Sequence, residues 1–239
     1  ESGCGKSITV MSLMGLLPAT AKVTGSIRFD GTELVGRDEK DMCQIRGNRI
    51  GMIFQEPMTA LNPVHTIVRQ VGEPLRLHRG LSKAEARKEV LALLDRVGIP
   101  DAASRLDAYP HQFSGGQRQR IGIAMALACG PDLLIADEPT TALDVTIQKQ
   151  ILELIQGLVA ERGMALILIS HDLGVISQTV SKMLVMYGGS VVESGPTDAV
   201  FAKRAHPYTQ GLFAARPAIG APRGQRLATI RGSVPELVD

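Results

Sequence analysis

The sequence predicts an α/β fold: a parallel-sheet core with an antiparallel β portion and an inserted helical portion. Three observations predict it. Gly3-Cys4-Gly5-Lys6-Ser7 is a glycine-rich loop that runs straight into an apolar helical stretch. Asp132–Ala136 and Ala165–Ile169 are apolar without alternation, the pattern of strands covered on both faces in a parallel sheet. Between them, Ile147, Ile151, Leu154, Ile155 and Leu158 trace one helix face, so strand, helix and strand follow as a right-handed crossover.

Composition bounds the function. A chain of 239 residues that is 44% hydrophobic can bury one sizeable core with attached subdomains. A net charge of +2 gives no electrostatic case for nucleic acid. With aromatics at 3% and no Trp, a base-stacking surface is not expected either. The scattered Cys4, Cys43 and Cys129 fit a reducing compartment and lack metal-ligand spacing. No apolar run approaches the roughly 18 to 20 residues that cross a bilayer, so work at a membrane would go through a partner. No signal peptide is visible, but the sequence opens inside its loop, whose leading glycine is read as missing.

The loop carries the first chemistry. Glu1-Ser2-Gly3-Cys4-Gly5-Lys6-Ser7 fits G-x-x-x-x-G-K-[ST] apart from that glycine. Gly3 and Gly5 let the backbone curl so that N–H groups face phosphate oxygens, and the following helix aims its positive end there. Lys6 is expected to reach the β- and γ-phosphates and Ser7 to ligate Mg²⁺. Cys4, at the helix start, is expected to carry a reactive thiol. The helix is expected from about Ile8 to Leu17, ending at Pro18.

Further along, Ile27 and Phe29 alternate with polar residues and Asp30-Gly31 signals a hairpin, so Val23–Leu34 reads as an antiparallel ribbon. Arg37–Arg46 reads as a short solvated helix and Arg49–Phe54 as a strand running into Gln55. From about Asn62 to Gly122 the pattern is helical. Ser82 and Glu85 form a capping box ahead of a stripe of Ala86, Val90, Leu93, Leu94 and Val97. A later helix follows Phe113-Ser114-Gly115-Gly116-Gln117. Met183–Tyr187, Gly188-Gly189 and Ser190–Glu193 read as a hairpin, and from about Ala199 the chain reads as loop.

Asp137-Glu138 closes a buried strand. Asp137 there can hold Mg²⁺ and Glu138 can polarise an attacking water, the alternative being acidic residues that merely cap the strand. Ser114 with two glycines offers free N–H groups to a second anion, or is an ordinary N-cap. A single active site does not need two such loops on one chain, so two similar chains could each supply one to the other. Gln55 could sense Mg²⁺ or the water; alone it reads as a surface glutamine. His171 could reach a γ-phosphate, although a lone histidine at a strand end is more often structural.

The ordered set Gly3-Lys6-Ser7, Gln55, Ser114-Gly115-Gly116-Gln117, Asp137-Glu138, Thr141–Asp144 and His171 resembles the nucleotide-binding subunit of an ATP-binding-cassette (ABC) transporter. The resemblance spans residues 1 to about 195 and implies a P-loop NTPase, RecA-like core. It assigns residues 1–7 to the Walker A loop, Gln55 to the Q-loop and 113–117 to the signature. It likewise makes 133–138 Walker B, 141–144 the D-loop and His171 the switch histidine. Phe113 departs from the usual leucine, Thr141 from the more frequent serine, and Cys4 is a cysteine within the loop. The aromatic that stacks on adenine would precede Glu1. Residues 1–61 and 126–198 are expected to form the ATP-binding core, with β subdomain parts at about 23–35 and 183–195. Residues 62–125 would be a helical subdomain, and 199–239 an extension.

That extension narrows the resemblance. His206-Pro207-Tyr208-Thr209-Gln210, Ala215-Arg216-Pro217 and Ile230–Pro235 resemble the tail of dipeptide, oligopeptide and nickel importers. The implied function is ATP hydrolysis driving peptide uptake, with nickel or another small solute, or a soluble non-transport ATPase, as alternatives. The implied cofactors are ATP and Mg²⁺. Implied partners are a second ABC ATPase domain, two transmembrane permease subunits and, indirectly, an extracytoplasmic solute-binding protein. Nucleic acid is not among them. The place would be peripheral, on the cytoplasmic face of the inner membrane. In such a pair each ATP lies between Gly3–Ser7 of one domain and Ser114–Gln117 of the other, and Asp144 links the two sites. In some relatives an iron–sulfur cysteine cluster follows the tail, and this sequence stops at Asp239 without one.

Overall fold

The computed structural model describes residues 4–55, 60–141 and 143–215. They divide into two compact units, one within Met11–Ile169 and one within Glu1–Val10 and Ser170–Asp239.

Helix α1 (Lys6–Leu13) opens the described chain. It stops short of the expected Leu17 because Gly15 takes φ 63°. The Gly15 N–H donates to Ser12 O at 3.1 Å and the Leu16 N–H to Met11 O at 2.9 Å. This is a Schellman closure, which uses up the last carbonyls before Pro18 is reached.

In the larger unit, β1 (Arg28–Phe29) and β2 (Thr32–Glu33) pair antiparallel, with Phe29 opposite Thr32. Asp30 (φ 49°) and Gly31 (φ 73°) supply the two positive φ angles of a type I′ turn. The Glu33 carboxylate accepts from the Ser26 hydroxyl and from the N–H groups of Ile27 (2.8 Å), Val35 (3.0 Å) and Leu34 (3.1 Å). The Ser26 hydroxyl foremost, then these backbone donors, bring its pKa down to about 2. Helix α2 (Glu39–Ile45) starts at Asp38, whose carboxylate accepts from the Asp41 N–H at 2.8 Å.

The sheet has the order β3 (Ile50–Ile53), β4 (Leu133–Asp137), β5 (Ala165–Ile169), all parallel. Ile50 faces Leu133, which faces Ala165. β3 and β4 are buried throughout, as continuous apolar strands should be. β5 departs from that expectation: Ala165 is exposed and Leu166–Leu168 are half-buried. It is an outer strand of this sheet, flanked on one side only among the described residues.

The helices are α3 (Ile67–Arg79), α4 (Lys83–Arg96), α5 (Ala102–Arg105), α6 (Gly115–Ala126) and α7 (Val145–Arg162). The α4 capping box forms as expected: Ser82 N–H donates to Glu85 Oε2 at 2.9 Å and Glu85 N–H to Ser82 Oγ at 3.3 Å. Ile67, Val71 and Leu75 of α3, Val90 and Leu94 of α4, Ile121 and Ile123 of α6 and Ile151 and Ile155 of α7 join one core with Leu134 of β4. Each such side chain contributes about 1.5–3 kcal/mol through burial. α6 also lies hard against the sheet: a Cβ on Gly51 of β3 would stand 2.2 Å from the Ala126 carbonyl oxygen. A glycine inside a strand marks this kind of close backbone approach.

In the smaller unit, α8 (Leu173–Thr179) precedes β6 (Lys182–Tyr187), which pairs antiparallel with β7 (Ser190–Pro196). Gly188 (φ 52°) and Gly189 (φ 77°) make the turn. The expected loop from about Ala199 is instead two helices, α9 (Thr197–Lys203) and α10 (Pro207–Ala214). Tertiary contacts override the weak local pattern. Glu193 of β7 accepts from the Ala205 and His206 N–H groups at 2.9 and 3.1 Å. Tyr208 packs on Tyr187, with ring centroids 4.4 Å apart, and Phe201 meets Phe213 edge-on. His206 caps α10 through Nδ1, which accepts the Tyr208 N–H at 3.1 Å.

Candidate functional site

Glu1, Ser2 and Gly3 of the expected phosphate loop lie outside the described residues. The described part turns at Gly5, whose φ of 86° suits glycine. Its carbonyl accepts both the N–H and the hydroxyl of Thr9, at 2.9 and 2.8 Å. A side chain on Gly5 would come within 3.6 Å of Gly189 Cα. Lys6 and Ser7 form the first turn of α1, where backbone N–H groups have no intrahelical acceptor. Cys4 is only 2% exposed. The expectation of a reactive thiol is therefore corrected: the thiol is buried and reagents cannot reach it freely.

The acidic pair sits in the larger unit. Asp137 ends β4 and is 4% exposed. Glu138 then takes φ 46°, a left-handed conformation that costs a residue with a Cβ about 1–2 kcal/mol. Two backbone bonds hold it: Glu138 N–H to Ile169 O at 3.0 Å, and Thr141 N–H to Glu138 O at 3.1 Å. Its Oε2 accepts the Gln55 amide at 3.3 Å and the Thr141 hydroxyl at 3.0 Å. So Gln55 and Glu138, 83 positions apart, are brought together at the ends of β3 and β4. Just beyond, the carbonyl of buried Pro139 accepts the side-chain amide of Gln119 at 2.6 Å.

Ser114 N-caps α6 in a second capping box. Its Oγ accepts the Gln117 N–H at 3.3 Å, and Gln117 Oε1 accepts the Ser114 N–H at 3.1 Å. The N–H groups of Gly115 and Gly116 point out of the same helix end. Gly116 is needed for packing as well, since a Cβ there would lie 3.1 Å from Ile147 Cγ2 of α7. Asp144 stands at the N-cap of α7 with no cap bond to that helix, and is exposed. His171, in the smaller unit, is exposed. It precedes Asp172, which caps α8 by accepting the Gly174 N–H at 2.6 Å.

The expected Mg²⁺ donors, Ser7 hydroxyl, Gln55 amide and Asp137 carboxylate, are all hard oxygen groups. No cluster of three or more His, Cys, Asp or Glu suited to a metal occurs among the described residues. One protein carboxylate completed by substrate oxygens is the set Mg²⁺ uses, so the residues fit it.

A family model described as ABC transporter matches residues 1–141. The chain belongs to the ABC transporter family. A second model, the oligopeptide/dipeptide transporter C-terminal region, matches residues 192–239. A Brucella ovis protein named for peptide import and ATP binding is 54% identical over 251 residues, 100% of this cassette and 74% of that protein. The dipeptide transport ATP-binding protein of Bacillus subtilis is 54% identical over 239 residues, 99% and 71% of the two chains. A dimeric ATP-binding cassette solved in a post-hydrolysis state with ADP and phosphate is 31% identical, with a TM-score of 0.72 over 82% of each chain. A Clostridium perfringens cassette described as part of an ABC transporter complex is 30% identical, with a TM-score of 0.71 over 85% of this chain and 77% of that one. The chain is thus an ABC ATPase built on an α/β fold with a parallel sheet.

Two contacts of this cassette escape sequence reasoning. Thr141 stands three positions after Glu138, a spacing that lets a turn residue reach back, but the sequence marks it only as part of the D-loop. Gln119 falls on the buried stripe of α6 with Ile123 and Ala126. A polar residue on an apolar stripe was the signal that could have found it.

Proposed function

We propose that this cassette hydrolyses ATP to energise the uptake of di- or oligopeptides through a channel formed by two transmembrane permease subunits. The observation that carries the reading is the joining, in one chain, of an ABC ATPase match at 1–141 to an oligopeptide/dipeptide-type C-terminal match at 192–239. No helix among the described residues is long and apolar enough to cross a membrane. That accords with a peripheral subunit on the cytoplasmic face, supplied indirectly by an extracytoplasmic solute-binding protein.

The proposed roles follow the motifs. Lys6 and the loop N–H groups hold the phosphates, and Ser7, Gln55 and Asp137 would hold Mg²⁺. When bound, Mg²⁺ neutralises charge on the β- and γ-phosphate oxygens. Glu138 accepts a proton from the attacking water, with Gln55 and Thr141 orienting its carboxylate. His171 donates to the γ-phosphate. Ser114–Gln117 serve the nucleotide of a second ABC ATPase domain, and Asp144 links the two sites. Residues 62–125 press on the membrane subunits.

The test is reconstitution of the full-length protein with its membrane subunits and binding protein in vesicles. ATP-dependent accumulation of a labelled dipeptide is expected. Glu138→Gln should keep ATP binding and lower turnover about 10²-fold or more. Uptake of nickel without peptide would overturn the choice of solute. Turnover indifferent to the membrane subunits would overturn the transport reading.

A further inference from the structure

We infer that Gln119 is a positioning residue for hydrolysis, tying helix α6 to the turn that carries Glu138. The inference rests on the reading of Glu138 as the general base.

Glu138 holds a left-handed backbone conformation that its own sequence does not favour. Its N–H is anchored to β5 through Ile169 O and its carbonyl to Thr141 N–H. The next residue is Pro139, which has no N–H to give. The Pro139 carbonyl is thus the one backbone group through which that residue can be held, and Gln119 Nε2 holds it at 2.6 Å. Gln119 is 1% exposed, so water does not compete for the bond, and losing it would leave a buried carbonyl without this donor. The donor comes from the helix that opens with Ser114. Gly116 of that helix sits so close to Ile147 of α7 that no side chain fits without displacement. Any shift at the start of α6 therefore reaches the Glu138 turn through a short, dry path. Gln119 acts through the placement of Glu138 and is not itself a catalytic group.

The test compares Gln119→Met and Gln119→Leu, which fill the space without a donor, in the full-length protein. Thermal melting and nucleotide titration establish that each folds and binds. The expected result is a kcat lowered about 10- to 100-fold with KM for ATP essentially unchanged, the mark of a displaced base. In a long single-turnover assay, adding Gln119→Met to Glu138→Gln should cost nothing further, because the group it positions is already gone. Parent-like kcat in both variants, beside a Glu138→Gln protein that is inactive, would overturn the inference and leave the general-base reading standing. So would a further loss in the double variant, or failure of both single variants to fold. A Glu138→Gln protein as active as the parent would instead sink the general-base reading, and this inference with it.

Discussion

Replacing Gly51 by Ala drives a methyl group into the carbonyl end of α6. The new Cβ would lie 2.2 Å from Ala126 O, 3.1 Å from Ala126 C and 3.2 Å from Pro131 Cγ. None of these is the tip of a flexible side chain, so strand and helix must part by about 0.8 Å to restore a tolerable contact. Overpacking against a rigid neighbour costs about 3 kcal/mol, the upper part of the usual range. For a chain of this size each kcal/mol moves Tm by about 2–4 °C, so a fall of roughly 6–12 °C is expected. Gly122→Ala on the same helix is the control. Nothing lies within 4 Å of its Cβ position, and a helix-interior alanine gains about 0.5–1 kcal/mol over glycine, so its Tm should rise. Melting followed by far-ultraviolet circular dichroism reads both. A Gly51→Ala protein that melts with the parent would show that α6 does not press on β3 as described.

Two further outcomes are expected. Lys6→Ala should weaken ATP binding tenfold or more, on the order of one lost charge-assisted bond; an unchanged fluorescence titration would contradict its phosphate role. Glu33 has a folded pKa of about 2 against an ordinary 4.5, so its contribution is present above pH 4.5 and is lost as pH falls toward 2. Amide protection of Ile27 and Val35 should decline across that window in the parent and show no such step in Glu33→Gln.

Local signals carried much of the fold. Asp30-Gly31 gave the type I′ turn and Ser82 with Glu85 the start of α4, because both are settled by near neighbours. The unbroken apolar run at Leu133–Ala136 gave a buried strand. Most of what is not legible depends on distant contacts. α9 and α10 are too short to show a helical period; Glu193 and Tyr187 of the preceding hairpin hold the start of α10, while α9 is held by the Thr197 hydroxyl on Val180 O and by Phe201 on Phe213. The end of α1 is a local exception: Pro18 is the louder breaker in the sequence, but Gly15 closes the helix before it. In the site, Gln55 and Glu138 could be named from their motifs, but the bond between them could not. The grip of Gln119 on Pro139 joins residues 20 positions apart: a polar residue on the apolar stripe of α6 marks Gln119, but nothing in either segment names its partner.

Helices α4 and α6 begin with the same reciprocal latch, closed by Glu85 in one and Gln117 in the other. The difference is a single unit of charge. Glu85 is held in its ionised form by the Ser82 hydroxyl and N–H, so α4 meets its own positive pole with a built-in counterion. Gln117 fastens Ser114 equally well yet brings none. The pull of the α6 dipole on negative charge is therefore left for something outside the helix to satisfy.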